Sequence, residues 1–294
     1  MKTRRLTGGL AQAGNSGGQR HENLKIKHDF KNLYKMSTFE FDAEKYRQAS
    51  KHQKEWGNRL ISELKFNGNE IILDLGCGDG ILTEQLSTLV PNGKVIGIDA
   101  SIGMIETANK YRKNNLSFIC KDINDMDFVN CFDIIFSNAT LHWVKNHERL
   151  LKNSIAALKR NGLIRWNFAG DGNCSNFFET MKTVMNENEF KEYFVNFEHP
   201  WYMPTKDEYE ELIANAGFSK VHVGFENADR FFSDSDEMTK WIDQPSLVPF
   251  IKQIPDEKKE KFRNTVVEMM IKRTIQPDGR CFETFRRIDV KALK

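Results

Sequence analysis

The sequence predicts an α/β fold, an open, doubly wound and mostly parallel seven-stranded sheet with helical cap insertions. Three observations predict it. Ile71 to Leu75 form a short, nearly continuous apolar run, as expected of a strand covered by helices on both faces. Gly76, Gly78 and Gly80 follow at once and open a helix-like stretch. Apolar strands and helical crossovers then alternate as far as Phe168, which implies parallel pairing.

The elements follow in order. Asp42 to Leu64 reads as a helix with Trp56, Leu60 and Leu64 on one face. After the strand 71–75 and its glycine turn, Leu82, Gln85, Leu86, Leu89 and Val90 share one helical face. Lys94 to Asp99 is the second strand, and Ser101 can N-cap a helix carrying Met104, Ile105 and Ala108. Leu116 to Lys121 and Phe132 to Ser137 are the third and fourth strands. His147 to Arg160 reads as a helix with Leu150, Leu151, Ile155 and Leu158 inward, and Gly162 is the expected left-handed C-cap. Leu163 to Phe168 is the fifth strand.

Beyond residue 170 the alternation loosens. Asn173 to Phe197 reads as an aromatic-rich helix, Thr205 to Ala216 as a helix ended by Gly217, and Lys220 to Phe232 as one long strand. Asp234 to Ile275 reads as helix interrupted by Pro245, Pro249 and Pro255, and Cys281 to Ala292 as the last strand. The predicted core is 68–170, with cap segments at about 173–200 and 234–277.

Composition narrows the functions available. The 294 residues carry 43 Lys and Arg against 41 Asp and Glu, so no overall field marks a nucleic-acid binder. Residues 1–35 hold eight basic and two acidic side chains and few large apolar ones. They are expected to form a disordered basic leader, with Met36 a candidate start for the functional segment 36–294. A dispensable leader is preferred there over an arm that touches RNA or membrane. No apolar run approaches the ~18 residues of a membrane span, and the chain opens without a signal peptide's apolar centre. Five cysteines with no CxxC pair fit neither a disulfide framework nor a zinc site, so a cytoplasmic setting without a metal is expected.

In an open parallel sheet the ligand sits outside the carboxyl ends of the strands. The side chains there are the candidate site: Asp74, Gly76, Cys77, Gly78 and Gly80 after strand one, and Asp99 and Ala100 after strand two. Asp122 and Ile123 follow strand three, and Asn138 and Ala139 end strand four. Asp99 can accept two ribose hydroxyls or charge a helix N-terminus; Asn138 can face the ligand or cap the next helix. The glycine rhythm is G-x-G-x-G. A dinucleotide fingerprint needs G-x-G-x-x-G, and a P-loop needs a closing Lys-Ser/Thr.

Glu70 to Gly80 resembles motif I of the class I S-adenosyl-L-methionine-dependent methyltransferases, whose Rossmann-like fold the element order also matches. Tyr46-Arg47-x-x-Ser50-x-x-Gln53, Leu141-His142-Trp143, the stretch from Trp241 through Pro249 to Ile254, and Thr284 to Ala292 resemble the trans-aconitate and juvenile hormone acid methyltransferase subfamily. The resemblance implies S-adenosyl-L-methionine as cofactor. The motif I loop would lie around its methionine part, Asp99 on the ribose, and Asp122 with Ile123 at the adenine. It also implies a small carboxylic acid as acceptor, held by Gln53 and Trp143.

A carboxylate is already ionised at neutral pH and needs no general base, only donors, orientation and desolvation. Placing the reactants in line is worth ~7–11 kcal/mol. The phenylalanines of the insertions, Phe177, Phe178, Phe190, Phe194 and Phe250, are candidates for a dry wall or for plain core. His142 would matter as a base if the acceptor were a phenol or an amine. Arg286 and Arg287 must point to opposite faces of their strand, so one can enter the pocket. A non-catalytic cofactor-binding or RNA-associated subunit is the remaining alternative.

Overall fold

The computed structural model describes residues 51–294, apart from the side chains of residues 51, 244 and 245. The leader 1–35, Met36, the start of the first predicted helix, and Tyr46, Arg47 and Ser50 lie outside the described residues.

Seven strands form one sheet: β1 (Ile71–Leu75), β2 (Lys94–Asp99), β3 (Leu116–Cys120), β4 (Phe132–Asn138), β5 (Leu158–Ala169), β6 (Ser219–Asn227) and, last in the chain, β9 (Arg286–Leu293). Their order is β3-β2-β1-β4-β5-β9-β6, with β9 antiparallel to both its neighbours and the other pairings parallel. The winding of successive strands reverses between the parallel neighbours β1 and β4, where Leu73 faces Ile135 on one side and Ile96 on the other. That reversal leaves a crevice above the carboxyl ends of β1 and β4.

Helices cover both faces. They are α1 (Lys51–Ser62), α2 (Ile81–Leu89), α3 (Ile102–Ala108), α4 (His147–Ala157), α5 (Ser175–Met185) and α6 (Lys206–Asn215). Ser101 caps α3 by accepting from Met104 N, as its position predicts. Thr205 and Glu208 form a reciprocal capping box on α6, and Gly217 ends it at φ 92°. On α2 the buried face is Thr83, Leu86 and Ser87, with Val90 just beyond, while Leu89 turns to solvent.

A second apolar cluster lies in the cap. Phe177, Phe190, Phe194 and Phe250 are buried in it with Trp241, Phe262 and Met270, so these four are core rather than pocket wall. Its later elements are β7 (Arg230–Phe232), α7 (Ser235–Trp241), a π-turn (Ile242–Ser246), α8 (Val248–Ile251), α9 (Asp256–Thr274) and β8 (Cys281–Glu283). No helix among the described residues is long and apolar enough to cross a membrane.

Several expectations need correction. The helix from His147 stops at Ala157, because Leu158 already pairs with Phe132 in the sheet. The left-handed residue is Asn161 at φ 63°, not Gly162. A Cβ on Gly162 would stand 3.0 Å from Leu158 Cδ2 and from two backbone oxygens, so close packing explains that glycine. Lys220 to Phe232 is two strands in two sheets: β6 pairs with β9, and β7 with β8. Cys281 to Ala292 likewise divides into β8 and β9, with Phe285 N–H donating to Asp229 at the break. Asn173 to Phe197 is one helix, α5, followed by a short 3-10 turn, Lys191–Phe194.

Helix α1 is tied across the sheet by a charged stripe four residues apart. Glu55 pairs with Arg230 at 2.6 Å, Arg59 with Glu226 at 2.5 Å, and Glu63 with buried Arg165 at 2.5 Å. Arg165 also holds Asp289 of β9 with both terminal nitrogens, at 2.7 and 2.9 Å. This stripe fixes α1 over the crevice and so positions Gln53.

Candidate active site

The turn after β1 is shaped by its three glycines, all in the left-handed region at φ 69°, 53° and 82°. Gly76 N–H and Cys77 N–H both donate to Ile98 O, at 2.9 and 3.0 Å. A Cβ on Gly76 would lie 2.0 Å from Thr140 Cγ2, and on Gly80 2.8 Å from Ala108 Cβ. Gly78 is different: nothing stands within 4 Å of the place its Cβ would take. The turn is packed tightly at both ends and open in the middle. Cys77 is buried and packs on Gly97, and burial drives its thiol pKa well up.

Asp74 is buried, and Thr83 Oγ1 donates to its Oδ2 at 2.7 Å. Burial raises its pKa to about 7 despite that bond. It braces the turn against α2. Asp99 accepts from Gly78 N–H at 3.0 Å through one oxygen and from Ser101 N–H at 2.9 Å through the other. Asp99 is thus held rigidly at the carboxyl end of β2. Ala100 lies between Asp99 and Ser101, its carbonyl taking the Cys120 thiol at 3.7 Å.

Asp122 caps the short turn Ile123–Asp125, accepting from Asn124 N–H at 2.8 Å. Ile123 is buried within the main apolar cluster. Ile102, in the first turn of α3 beside Asp99, is 57% exposed; the sequence reading gave it no role.

At the end of β4, Asn138 Nδ2 donates to the Gln53 carbonyl at 2.8 Å, tying α1 to the sheet. It does not cap the following turn, which starts at Thr140. Ala139 takes φ 58° and turns the chain, with its N–H on Asn167 O at 2.7 Å. The turn Leu141–Trp143 then carries His142 and Trp143. His147, buried, anchors it: Nε2 lies 2.9 Å from Leu141 O and Nδ1 3.0 Å from Tyr209 OH. Trp143 packs on Trp201 at 5.2 Å, and Trp201 on Phe178 at 5.5 Å, edge-on. Phe178, half-buried, thus extends the aromatic wall from Trp143 while the other cap phenylalanines do not.

Of the two arginines on β9, Arg286 turns outward to Asp229. Arg287 is buried: it bonds Asn167 Oδ1 at 2.7 Å and stacks over Trp56 at 4.3 Å. Its charge helps burial push the pKa of His142 down to about 3, and it acts with Arg230 and burial to do the same to His52. Both rings are therefore neutral at physiological pH.

Eight buried side-chain polar atoms among the described residues make no hydrogen bond, and four belong to this crevice: Gln53 Oε1, Asp79 Oδ2, Asn138 Oδ1 and His142 Nδ1. Native interiors seldom leave such atoms unpaired, so their grouping marks a ligand site. Open space at Gly78, the braced Asp99 and these atoms fit a ligand bearing both ribose hydroxyls and an amino-acid end. Asp79, whose Oδ2 is among these atoms, is not one of the candidates the sequence offers; the available signal was an acid inside the glycine turn.

Residues 72–162 match the family described as a methyltransferase domain. The juvenile hormone acid O-methyltransferase of Bombyx mori is 26% identical over 245 residues, 78% of this chain and 86% of that protein. A malonyl-[acyl-carrier protein] O-methyltransferase of Bacillus cereus is 30% identical over 154 residues, 51% of this chain and 57% of that protein. The match thus spans little more than half the length of that relative. The phosphoethanolamine N-methyltransferase 2 of Haemonchus contortus, solved with S-adenosyl-L-methionine, shares the fold. Its TM-score is 0.54 at 17% identity, over 86% of this chain and 56% of that one. With the G-x-G-x-G turn, the strand order and the crevice, these likenesses agree: the chain carries a methyltransferase domain of the S-adenosyl-L-methionine-dependent class.

Proposed function

We propose that the protein transfers the methyl group to the carboxylate of a small organic acid. The observation that carries this reading is the state of His142. Burial and Arg287 hold its pKa near 3, so it is a poor acceptor for a phenolic or ammonium proton at pH 7. An acceptor that arrives ionised needs no such group, and a carboxylate does so. The positive charge of Arg287, which adds to burial in keeping His142 and His52 neutral, also favours an anionic guest. The relatives named as juvenile hormone acid O-methyltransferase and malonyl-[acyl-carrier protein] O-methyltransferase support the same chemistry, since each name pairs O-methylation with an acid.

Each residue then has a part. Gly78 gives a ligand access to the turn, Asp99 takes the ribose hydroxyls, and Asp122 takes the adenine amino group. Exposed Ile102 offers apolar surface to the adenine ring. Bound there, S-adenosyl-L-methionine supplies an electrophilic methyl group on a sulfonium. Gln53, fixed by Asn138, and the Trp143 indole hold and aim the acceptor carboxylate. Trp143, Trp201 and Phe178 exclude water, which favours a step that removes two opposite charges. The carboxylate oxygen forms a bond to the methyl carbon as the carbon–sulfur bond breaks, and no proton moves.

The test is transfer of an isotopic methyl group from S-adenosyl-L-methionine to a panel of acids, phenols and amines. Base-labile methyl esters are expected. Labelled phenol ethers or methylamines without esters would refute the assignment.

A further inference from the structure

Two side-chain oxygens, Asn138 Oδ1 at the end of β4 and Gln53 Oε1 on α1, are buried without a hydrogen bond. Which end of the Asn138 amide is oxygen follows from its other end, since Nδ2 donates to the Gln53 carbonyl at 2.8 Å. Helix α1 holds that amide in place. A Cβ on Gly57 would stand 3.2 Å from Asn138 Nδ2 and 2.3 Å from Leu82 Cδ1, so the helix rests directly on it. The hydroxyls nearby in the chain are bonded elsewhere: Ser137 Oγ donates to Leu75 O at 2.8 Å and Thr140 Oγ1 to Gly76 O at 3.1 Å.

A carboxylate brings acceptors only, about four lone-pair sites and no N–H or O–H. It can satisfy a donor such as a neutral His142 at Nδ1, which is also buried and unpaired. It leaves the two amide oxygens dry, a state that native interiors seldom keep. The guest that completes this end of the crevice therefore carries a donor of its own near the carboxylate. Charge selects the kind of donor. Arg230 and Arg287 set positive charge around His52, next to Gln53 on α1, and Arg287 does so around His142. An ammonium is repelled there, while a neutral hydroxyl is not. One O–H can also divide its hydrogen between two acceptors in a three-centre bond.

We propose that the methyl acceptor is a hydroxy acid, whose hydroxyl on the α or β carbon donates to Asn138 Oδ1 and Gln53 Oε1. The two amides then set specificity: a plain acid fills the same space and leaves both oxygens unpaired. The inference rests on the carboxylate reading and adds the substrate class to it.

The experiment is labelled methyl transfer from S-adenosyl-L-methionine to matched acids. These are hexanoate and phenylpropionate, each with its α-hydroxy, β-hydroxy and α-amino forms. Pairing a buried acceptor that a plain acid leaves unsatisfied predicts that one hydroxy form exceeds its parent by about 10–100-fold in kcat/KM. The α-amino form should fall below the parent. In Gln53→Met and Asn138→Ala all acids are expected to react more slowly, and the preference for hydroxyl should shrink to within about threefold. Thermal midpoints show whether each variant is folded, and the wild-type comparison decides by itself where one is not. Plain acids esterified as well as both hydroxy forms would overturn the inference. So would a preference that survives both substitutions, since another group would then read the hydroxyl. Esters from none of the acids, in a protein that binds S-adenosylhomocysteine, would overturn the carboxylate reading and this inference with it.

Discussion

Replacing Gly78 and Gly76 by alanine separates ligand access from folding within one turn. Both glycines have positive φ, 53° and 69°, so each alanine carries a left-handed penalty of about 1–2 kcal/mol. At Gly78 the new methyl group meets no atom of the described residues beyond its chain neighbours within 4 Å, and the penalty is the whole cost. At Gly76 it would stand 2.0 Å from Thr140 Cγ2 and 2.5 Å from Thr140 Oγ1, where overpacking adds about 1–3 kcal/mol. A domain of this size shifts its midpoint by about 2–4 °C per kcal/mol. Gly78→Ala should therefore melt about 2–8 °C below wild type, and Gly76→Ala about 4–20 °C below. Binding should separate the two in the other direction. The Gly78 methyl group projects into the space assigned to the ligand, so S-adenosylhomocysteine affinity should fall at least about tenfold in a folded protein. Thermal scans and calorimetric titration of both variants decide it. A Gly78→Ala protein that is folded and binds S-adenosylhomocysteine as wild type would refute the placement of the ligand at that open face.

Three further outcomes follow from the same geometry. His52, His142 and His147 have pKa values of about 3, 3 and 4 in the folded state, all lowered mainly by burial. The unfolded chain protonates them near pH 6.5, so stability is full above that pH and falls as pH drops toward 4. Each contributes up to about 1.4 kcal/mol per pH unit. Asp74, raised to about 7, and Glu283, also raised by burial, oppose the trend; a net loss of about 1–3 kcal/mol per unit should appear in urea midpoints between pH 6 and 5. Thr205→Ala removes the capping box of α6 and should cost about 1 kcal/mol by urea denaturation, with acceptor kinetics unchanged. Trp143→Phe keeps the contact with Trp201 but deletes the indole N–H, and should raise the acceptor KM by about 5–20-fold while S-adenosylhomocysteine affinity stays within twofold.

The parts of the molecule that follow local rules were readable from sequence. The run Ile71 to Leu75, the Ser101 cap and the Thr205–Gly217 helix depend on neighbours in the chain, and each formed as expected. What failed depended on distant partners. The helix after His147 keeps its apolar period through Leu158, but Phe132 claims Leu158 for the sheet. The runs 220–232 and 281–292 look continuous because strand propensity has no marker for a change of sheet; Asp229, bonding Phe285 N–H, makes that break. At the site, Asp99, Asn138 and the open Gly78 stand where ligand-facing residues of a doubly wound sheet belong. The neutral state of His142 was not legible, because it comes mainly from burial that only the closed fold creates, with Arg287, far along the chain on β9, adding to it. Nor was the unpaired oxygen of Asp79, which shows only once the turn has closed around it.

The most direct test of transfer without a general base is the pH dependence of kcat for the wild type with an acid it methylates. A flat profile is expected from about pH 6 to 9, because the carboxylate is ionised throughout and His142 never changes charge in that range. His142→Ala, measured alongside, should keep kcat within about tenfold. A rate that climbs tenfold per pH unit to a plateau, together with a thousandfold loss in His142→Ala, would contradict it and assign His142 the proton.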